Sequence, residues 1–428
     1  MSNLNLIPIG KLFDLEKGSL QSSKCTEGEY TFITAAEEWK THNEYSHECE
    51  ALIFAAAASG SLGRTHYIND KFITSDLCFI LTPKDSKKYP INLKFYHFVF
   101  NSLKDEIVKN TKSGTSKESI NQSNLRNYEI PYFEIDKQNL WIDKLVNTKS
   151  IKEDLELELS SGQSLLKQLK QTILQEAIEG KLTAKWRAKN PDIGTAKELL
   201  EQIKTEKEKL IKEKKLKASK PLAPINEDEI PFDIPSSWEW CRFGNIVEHN
   251  AGKTLDRGRN KGLAQKYITT SNLYWGYFIL DDLKEMLIDE SELSKCTVQK
   301  GDLLVCEGGE AGRSAVWEND ETICIQNHIH RVRPYQNINT YYLYYYLMKI
   351  FLTGEIDNYR NGMGIKNLSG KSLSTIIIPI APKEEQKEIV ATIEKFFAIC
   401  NELESEINQN KTTVENLMAT VLKEAFEN

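Results

Sequence analysis

With 428 residues, a formal net charge of −7 and a pI near 5.7, the chain is too long for one core and carries no bulk positive charge with which to coat nucleic acid. Eight cysteines without a CxxC pair or a framework spacing read as reduced thiols, which points to the cytoplasm. Charged residues interrupt positions 1–20, which excludes a signal peptide, and the longest apolar run, 51–58, is too short to cross a membrane.

Residues 1–144 read as a mixed domain of short strands and turns, with apolar runs at 51–55 and 76–81 bounded by Gly, Ser and Pro. Residues 145–220 form a helical region: a long helix over about 145–180, a turn around Asn190-Pro191, and a highly charged helix over about 195–217. Leu199, Leu200, Ile203, Leu210 and Ile211 give that second helix its apolar side, and the basic run 209–220 reads as a solvated helix end, with a DNA contact as the alternative. Proline-rich residues 221–237 are an extended linker. The short-strand pattern then returns over 238–385, and a last long helix occupies 386–428.

The chain repeats itself at an offset of 248. Residues 169–177 fall on 417–425 with five identities, Ile130-Pro131 falls on Ile378-Pro379, Gln138 on Gln386, Leu125 on Leu373 and Gly114 on Gly362. Each copy also has a Gly-rich turn ending in Gly-Arg, at Gly63-Arg64 and Gly312-Arg313. One duplication of this size is a monomer imitating a symmetric dimer, the symmetry that palindromic or bipartite DNA sites select. The helices carry matched stripes at alternating steps of three and four: Leu155, Leu159, Gly162, Leu166, Leu169 and Ile173 in the first, Leu403, Ile407, Asn410, Val414, Leu417 and Val421 in the second. Two stripes that each need a partner predict mutual antiparallel pairing, with Gly162 and Asn410 near its centre and Asn410 hydrogen-bonding across the seam. Residues 242–275 carry a net +4 and residues 281–293 a net −5, which suits one face turned to phosphate and another turned to solvent or a partner.

Catalytic patterns fail on spacing. Lys253-Thr254 and Lys371-Ser372 each lack the leading glycine of a phosphate loop, Val247 and Ile365 standing in its place. The only Asn-Pro, Asn190-Pro191, continues as Asp192-Ile193, unlike an adenine-methyltransferase loop, and no nuclease cluster forms. His328 and His330 near Cys324, and His47 near Cys49, lack zinc spacing; alternation on a strand would put His328 and His330 on one face as a structural or DNA-facing pair.

The stretches Ile178-Glu179-Gly180-Lys181-Leu182-Thr183 with Trp186-Arg187 and Asn190-Pro191, then Ile234-Pro235-Ser236-Ser237-Trp238-Glu239-Trp240, then Pro379-Ile380-Ala381-Pro382-Lys383-Glu384-Glu385-Gln386, carry a resemblance. The whole chain resembles the specificity subunit of type I restriction-modification enzymes. The resemblance implies an α+β fold: two pseudo-two-fold-related mixed target-recognition domains separated by two long antiparallel helices that act as a ruler. Each domain would read one half of a bipartite site in double-stranded DNA. Two modification subunits would dock on the helices and supply S-adenosylmethionine-dependent adenine-N6 methylation, and restriction subunits would add ATP- and Mg-dependent translocation and cleavage. The chain itself would hold no cofactor, metal or catalytic residue. The competing reading is a coiled-coil scaffold that binds protein and no DNA.

For base reading, arginine, lysine, asparagine, glutamine and loop hydroxyls are the side chains that the major groove calls for. In the second domain the candidates are Lys253, Thr254, Arg257, Arg259, Asn272, Tyr274, Arg313, Asn327, His328, Arg360 and Lys366. In the first they are Ser22, Lys24, Arg64, His66, Lys112, Ser113 and Lys117. Fewer than half are expected to touch a base, since most protein–DNA hydrogen bonds go to the backbone.

Overall fold

The structure, a computed structural model, describes residues 5–57, 60–114, 118–216, 218, 220–256, 258–335, 337–362, 364 and 366–427. The chain divides into two compact units, Met1–Gly162 with Glu406–Asn428, and Gln163–Ser405. All eight cysteines are free, and among the described residues no helix is long and apolar enough to cross a membrane.

In the first unit α1 (Ile9–Leu12) separates β1 (Leu6–Pro8) from β2 (Phe13–Lys17). Strands β3 (Tyr30–Ile33), β4 (Lys40–His42), β5 (His47–Ala55), β6 (Thr65–Thr74) and β7 (Cys78–Pro83) complete a six-stranded sheet in the order β2-β7-β5-β6-β3-β4. All its pairs are antiparallel except β3 with β6. Then follow α2 (Leu93–Ser102), α3 (Lys104–Thr111), the paired β8 (Lys112–Ser113) and β9 (Ser119–Ile120), α4 (Gln122–Asn127) and β10 (Glu129–Pro131), which returns antiparallel to β1. The two-residue period of β5 divides its apolar half between two cores. Leu52 and Phe54 join Phe95, Tyr96 and Phe100 of α2, whereas Ala51, Ile53 and Ala55 join Ile33, Ile68 and Phe72. Burial on both faces explains why 51–55 holds no polar residue.

The long helix α5 (Ile135–Ile178) begins earlier than the expected 145, because Trp141 and Leu145 pack into the first unit's core. It is followed by the short α6 (Ala184–Lys189), a non-helical turn at Asn190-Pro191, and α7 (Ala196–Lys212). A Thr195/Glu198 capping box opens α7, which ends before the expected 217, with Lys214 at φ 58°. The linker is pinned rather than free: the Arg242 guanidinium donates to the Ala223 and Pro224 carbonyls and to Glu229 at 2.7 and 2.8 Å.

The second unit continues with β11 (Glu239–Arg242), α8 (Phe243–Ile246), β12 (Val247–Ala251), β13 (Leu263–Ile268), β14 (Leu273–Tyr274), β15 (Tyr277–Phe278), β16 (Lys284–Ile288), α9 (Glu290–Cys296), β17 (Thr297–Val298), β18 (Leu303–Cys306) and β19 (Ser314–Val316). It ends with β20 (Ile323–Ile325), β21 (Ile329–Pro334), α10 (Thr340–Leu352), α11 (Gly370–Thr375), β22 (Ile377–Ile380) and the helix α12 (Lys383–Glu427). Two four-stranded sheets form, β12-β21-β18-β19 and β16-β13-β20-β17, while β11 pairs antiparallel with β22.

The 248-residue offset marks equivalent joints in the two units. Gln138 and Gln386 are fully buried; each Oε1 accepts the backbone N–H of a helix-capping asparagine, Asn92 at 2.6 Å and Asn339 at 2.9 Å. Each amide nitrogen donates to a carbonyl just upstream, Phe133 at 2.6 Å and Ala381 at 2.8 Å. Asn121 and Ser369 cap the short helices that bury Leu125 and Leu373, and Gly114 and Gly362 take φ 95° and 105°. The Gly-Arg turns also coincide: Gly63 N–H donates to Ala55 O and the Arg64 carbonyl accepts Ala55 N–H, as Gly312, Arg313 and Cys306 do in the second unit. These residues make the repeat a structural one.

One carboxylate gathers the three signature stretches. Glu385, fully buried at the start of α12, accepts from Thr183 Oγ1 (2.8 Å), Arg187 Nε (2.8 Å) and Trp238 Nε1 (2.9 Å). Arg187 also donates to the Gly180 carbonyl at 2.6 Å and lies over the Trp238 ring. Gly180 is required there: its φ is 72°, and a Cβ would stand 2.7 Å from the Arg187 guanidinium.

Within each unit α5 and α12 run antiparallel. In the first, Lys144 reaches Glu424 at 3.1 Å and a Cβ on Gly162 would lie 3.6 Å from Ile407 Cδ1; in the second, Lys170 reaches Glu404 at 2.7 Å. Leu166, Ile173 and Val414 are buried, and Leu155, Leu159, Ile407, Leu417 and Val421 are half-buried. Three seam positions differ from expectation: Leu169, Leu403 and Asn410 are exposed, and Gly162 faces Ile407 instead of Asn410. A stripe spaced at 3.5 residues drifts about 20° per heptad on a helix of 3.6 per turn, so part of it leaves a two-helix seam.

Two stability experiments follow. Gly312 has φ 96° and an added Cβ would lie 2.2 Å from Ile356 Cδ1, whereas Gly308 has open space around it. Gly312→Ala should lower stability by about 2 kcal/mol or more and Gly308→Ala far less; equal urea midpoints for the two variants would contradict this. Burial holds His97 and His249 at about 4, below the ordinary 6.5; nearby Lys149 and His66 add to the first shift and His330 to the second. The unfolded chain then binds more protons between those values, so stability is full above pH 6.5 and is lost as pH falls toward 4. His249→Gln should flatten part of that slope in urea midpoints, and an unchanged slope would remove His249 from the account.

Candidate nucleic-acid interface

In the first unit Ser22 and Lys24 stand exposed on a 3₁₀ turn, Ser22–Lys24. Lys112 and Ser113 are exposed on β8; Lys112 pairs with Glu118 at 2.7 Å and Ser113 Oγ donates to Ser119 O. Arg64 is half-buried, donates to Ala35 O and Ser61 Oγ, and lies 3.9 Å from Glu37. His66 meets the edge of the Trp39 ring at 5.6 Å; burial lowers its pKa, and its Nε2 has no hydrogen-bond partner among the described residues. Lys117 lies outside the described residues, as does Arg257 in the second unit.

In the second unit the turn between β20 and β21 presents Asn327 half-buried and His328 exposed. Lys253 lies against this turn, its N–H donating to Ile325 O at 2.9 Å and its carbonyl accepting Asn327 N–H at 3.1 Å. No Cβ is tolerated at Gly252, where one would lie 2.1 Å from the Ile325 carbonyl oxygen. Thr254 and Arg259 are exposed next to it, and the Thr254 carbonyl accepts from Asn260. Tyr274 stacks on Tyr277 at 5.2 Å with rings 9° from parallel.

Four expectations need correction. Asn272 is buried with its amide committed to a turn, Oδ1 accepting from Thr269 and Nδ2 donating to Ile279 O. Arg313 is also committed, donating to Thr270 O and Glu310 at 2.7 Å each and covering the Tyr274 ring. Arg360 donates to the Ala311 carbonyl and to Asp357 and covers Phe351, so it braces the Gly-rich turn. His328 and His330 do not share a face: β21 begins at Ile329, and His330 is buried with Nε2 donating to Leu368 O at 3.0 Å. Arginines next to a glycine turn look alike in sequence whether they face DNA or hold the turn.

The basic candidates share an electrostatic arrangement. Lys253 binds Glu292 at 2.6 Å, Lys366 binds Asp357 at 2.6 Å, and Arg259 lies 3.7 Å from Asp256. With Arg64, Lys112, Arg313 and Arg360, every described basic candidate except Lys24 faces a carboxylate. Except at the largely buried Arg313 and Arg360, these pairs are partly solvated, weak and exchangeable. A recess of about 580 Å³ next to Thr254 and Leu255 is lined by Asn260, Thr269, Ser271 and Gln326. Those amides and hydroxyls suit base edges, yet nothing in their spacing separates them from ordinary loop residues. Among the described residues no group of three His, Cys, Asp or Glu could hold a metal.

The sequence profile described as type I restriction modification DNA specificity domain matches residues 1–160 and 235–411. The chain is 29% identical to the type I restriction enzyme EcoAI specificity subunit of Escherichia coli over 57% of its length, and equally identical to the EcoEI subunit of that organism. It spans only 42% of the length of each of these relatives. Against the EcoDI specificity subunit it is 22% identical, covering 98% of this chain and 87% of that one. Among solved structures the fold matches the HsdS subunit from Thermoanaerobacter tengcongensis (TM-score 0.56, 14% identity, 100% and 97% covered). It also matches a chain from work on complex assembly and conformational transition of the type I R-M system (TM-score 0.70, 14% identity, 100% and 98% covered). With both globular copies inside the profile, the chain belongs to the type I restriction-modification DNA specificity family.

Proposed function

We propose that the chain reads an asymmetric bipartite site in double-stranded DNA, one half with each unit, and carries it to modification and restriction subunits. The observation that supports this most is the duplicated scaffold: equivalent Gln, N-cap and Gly-Arg joints in two units whose loops bear cations and amides. Loops held by a rigid scaffold are where recognition residues gather. In this reading S-adenosylmethionine, ATP and Mg belong to the partner subunits, which supply adenine-N6 methylation, translocation and cleavage in the cytoplasm. This chain supplies sequence selection and the docking surface.

The purified chain is therefore expected neither to methylate nor to cut DNA, and to bind its site tightly only with the modification subunit present. Transfer of labelled methyl groups from S-adenosylmethionine, measured with and without that subunit, tests this; robust transfer by the chain alone would sink the proposal.

Helix length would set the number of unread base pairs between the half-sites. α5 has 44 residues, and one turn adds about 5.4 Å of rise against about 3.4 Å per base pair. Inserting one turn before Gly162 should lengthen the spacer and leave both half-sites unchanged, as read by methylome sequencing. A fixed spacer with altered half-site bases would refute it.

A further inference from the structure

The acidic segment of the second unit has a use in the fold that charge counting does not reveal. Strand β16 lies antiparallel to β13 with Glu285 directly opposite Lys266, both exposed. A few residues later Glu292, in the first turn of α9, holds Lys253 with both carboxylate oxygens, at 2.6 and 2.7 Å. The net −5 run is thus folded onto the net +4 run. We propose that this segment is an internal stand-in for DNA phosphate: Glu292 occupies Lys253 in the free chain, and duplex DNA must displace it. The proposal rests on the DNA-reading function above and adds a regulating contact to it.

Lys253 suits such an exchange and the nearby arginines do not. Arg313 and Arg360 also donate to backbone carbonyls, which no phosphate can replace without opening the turn. The Lys253 ammonium is bonded to a carboxylate alone, and its backbone is fixed on both sides by the β20–β21 turn. Only its side chain has to move. Both partners are partly solvated, at 22% and 38% side-chain exposure, so the pair is weak enough to exchange and the freed carboxylate returns to water. The consequence is selectivity: unrelated DNA offers phosphates alone and gains little by breaking the pair, whereas a matched site adds base contacts to the same exchange.

The test uses the purified chain and a labelled random-sequence duplex of about 30 base pairs, followed by anisotropy across a salt series. E292Q should bind this duplex several-fold more tightly, with the slope of log affinity against log salt steeper by about 0.9, one more phosphate contact. The double variant K253M/E292Q should lose that gain. Unchanged affinity and slope in E292Q would overturn the proposal, and so would a gain that survives in K253M/E292Q, which would mark a general loss of negative charge. If neither the wild-type chain nor E292Q binds any duplex at low salt even with the modification subunit added, the DNA-reading function falls as well. Thermal melting of each variant and the conservative E292D, whose shorter carboxylate cannot keep both bonds, separate release of Lys253 from misfolding.

Discussion

A carboxylate taken wholly out of water is tolerated only where donors surround it, and Glu385 has a hydroxyl, a guanidinium and an indole N–H, all within 2.9 Å. Those donors come from the N-cap of α6, from α6 itself and from the entry to the second globular copy. Removing the carboxylate would leave the buried Trp238 indole N–H without this acceptor and the half-buried Arg187 with only the Gly180 carbonyl and the Thr183 hydroxyl. The path of the chain through α6, the pinned linker and β11 depends on this one group. The first unit has Lys137 at the corresponding position, with its ammonium over the Phe133 ring, so the arrangement belongs to the second unit's own connection.

Where the sequence was readable, a side chain had a single physical role. Gln138 and Gln386 are identical because a buried amide must both donate and accept, and no other residue of that length does so. Gly63, Gly312 and the Gly114/Gly362 pair take left-handed φ values, which fixes the residue type. The heptad stripe located the antiparallel helix pair, though it missed the start of α5, where Trp141 and Leu145 pack into a globular core that also takes in Leu422 and Ala425 of α12. The loops were less legible: Arg313 and Arg259 are the same residue type near similar glycines, and only tertiary partners separate a brace from an exposed side chain. Asn272 and Gln326 present the same ambiguity among amides.

All but one of the described basic candidates stand beside a carboxylate rather than in a positive patch. This reconciles a net charge of −7 with a family that recognises a polyanion. Long-range attraction to DNA is small for such a surface, so association would depend on short-range complementarity and on partners that bring their own charge. In the proposed DNA-reading role, a weak general attraction would leave the base contacts to decide the binding site.

The glutamine joints touch main-chain atoms: Gln138 takes an N–H from Asn92 and gives its protons to the carbonyls of Pro90 and Phe133, and Gln386 does the same with Asn339 and Ala381. A joint that reads only backbone is indifferent to the side chains around it. After a gene segment is duplicated, such joints hold while everything between them drifts, and here one copy has become a six-stranded sheet and the other two four-stranded sheets. The ancestry of the two halves is therefore preserved in a handful of amide contacts long after overall sequence identity between them has faded.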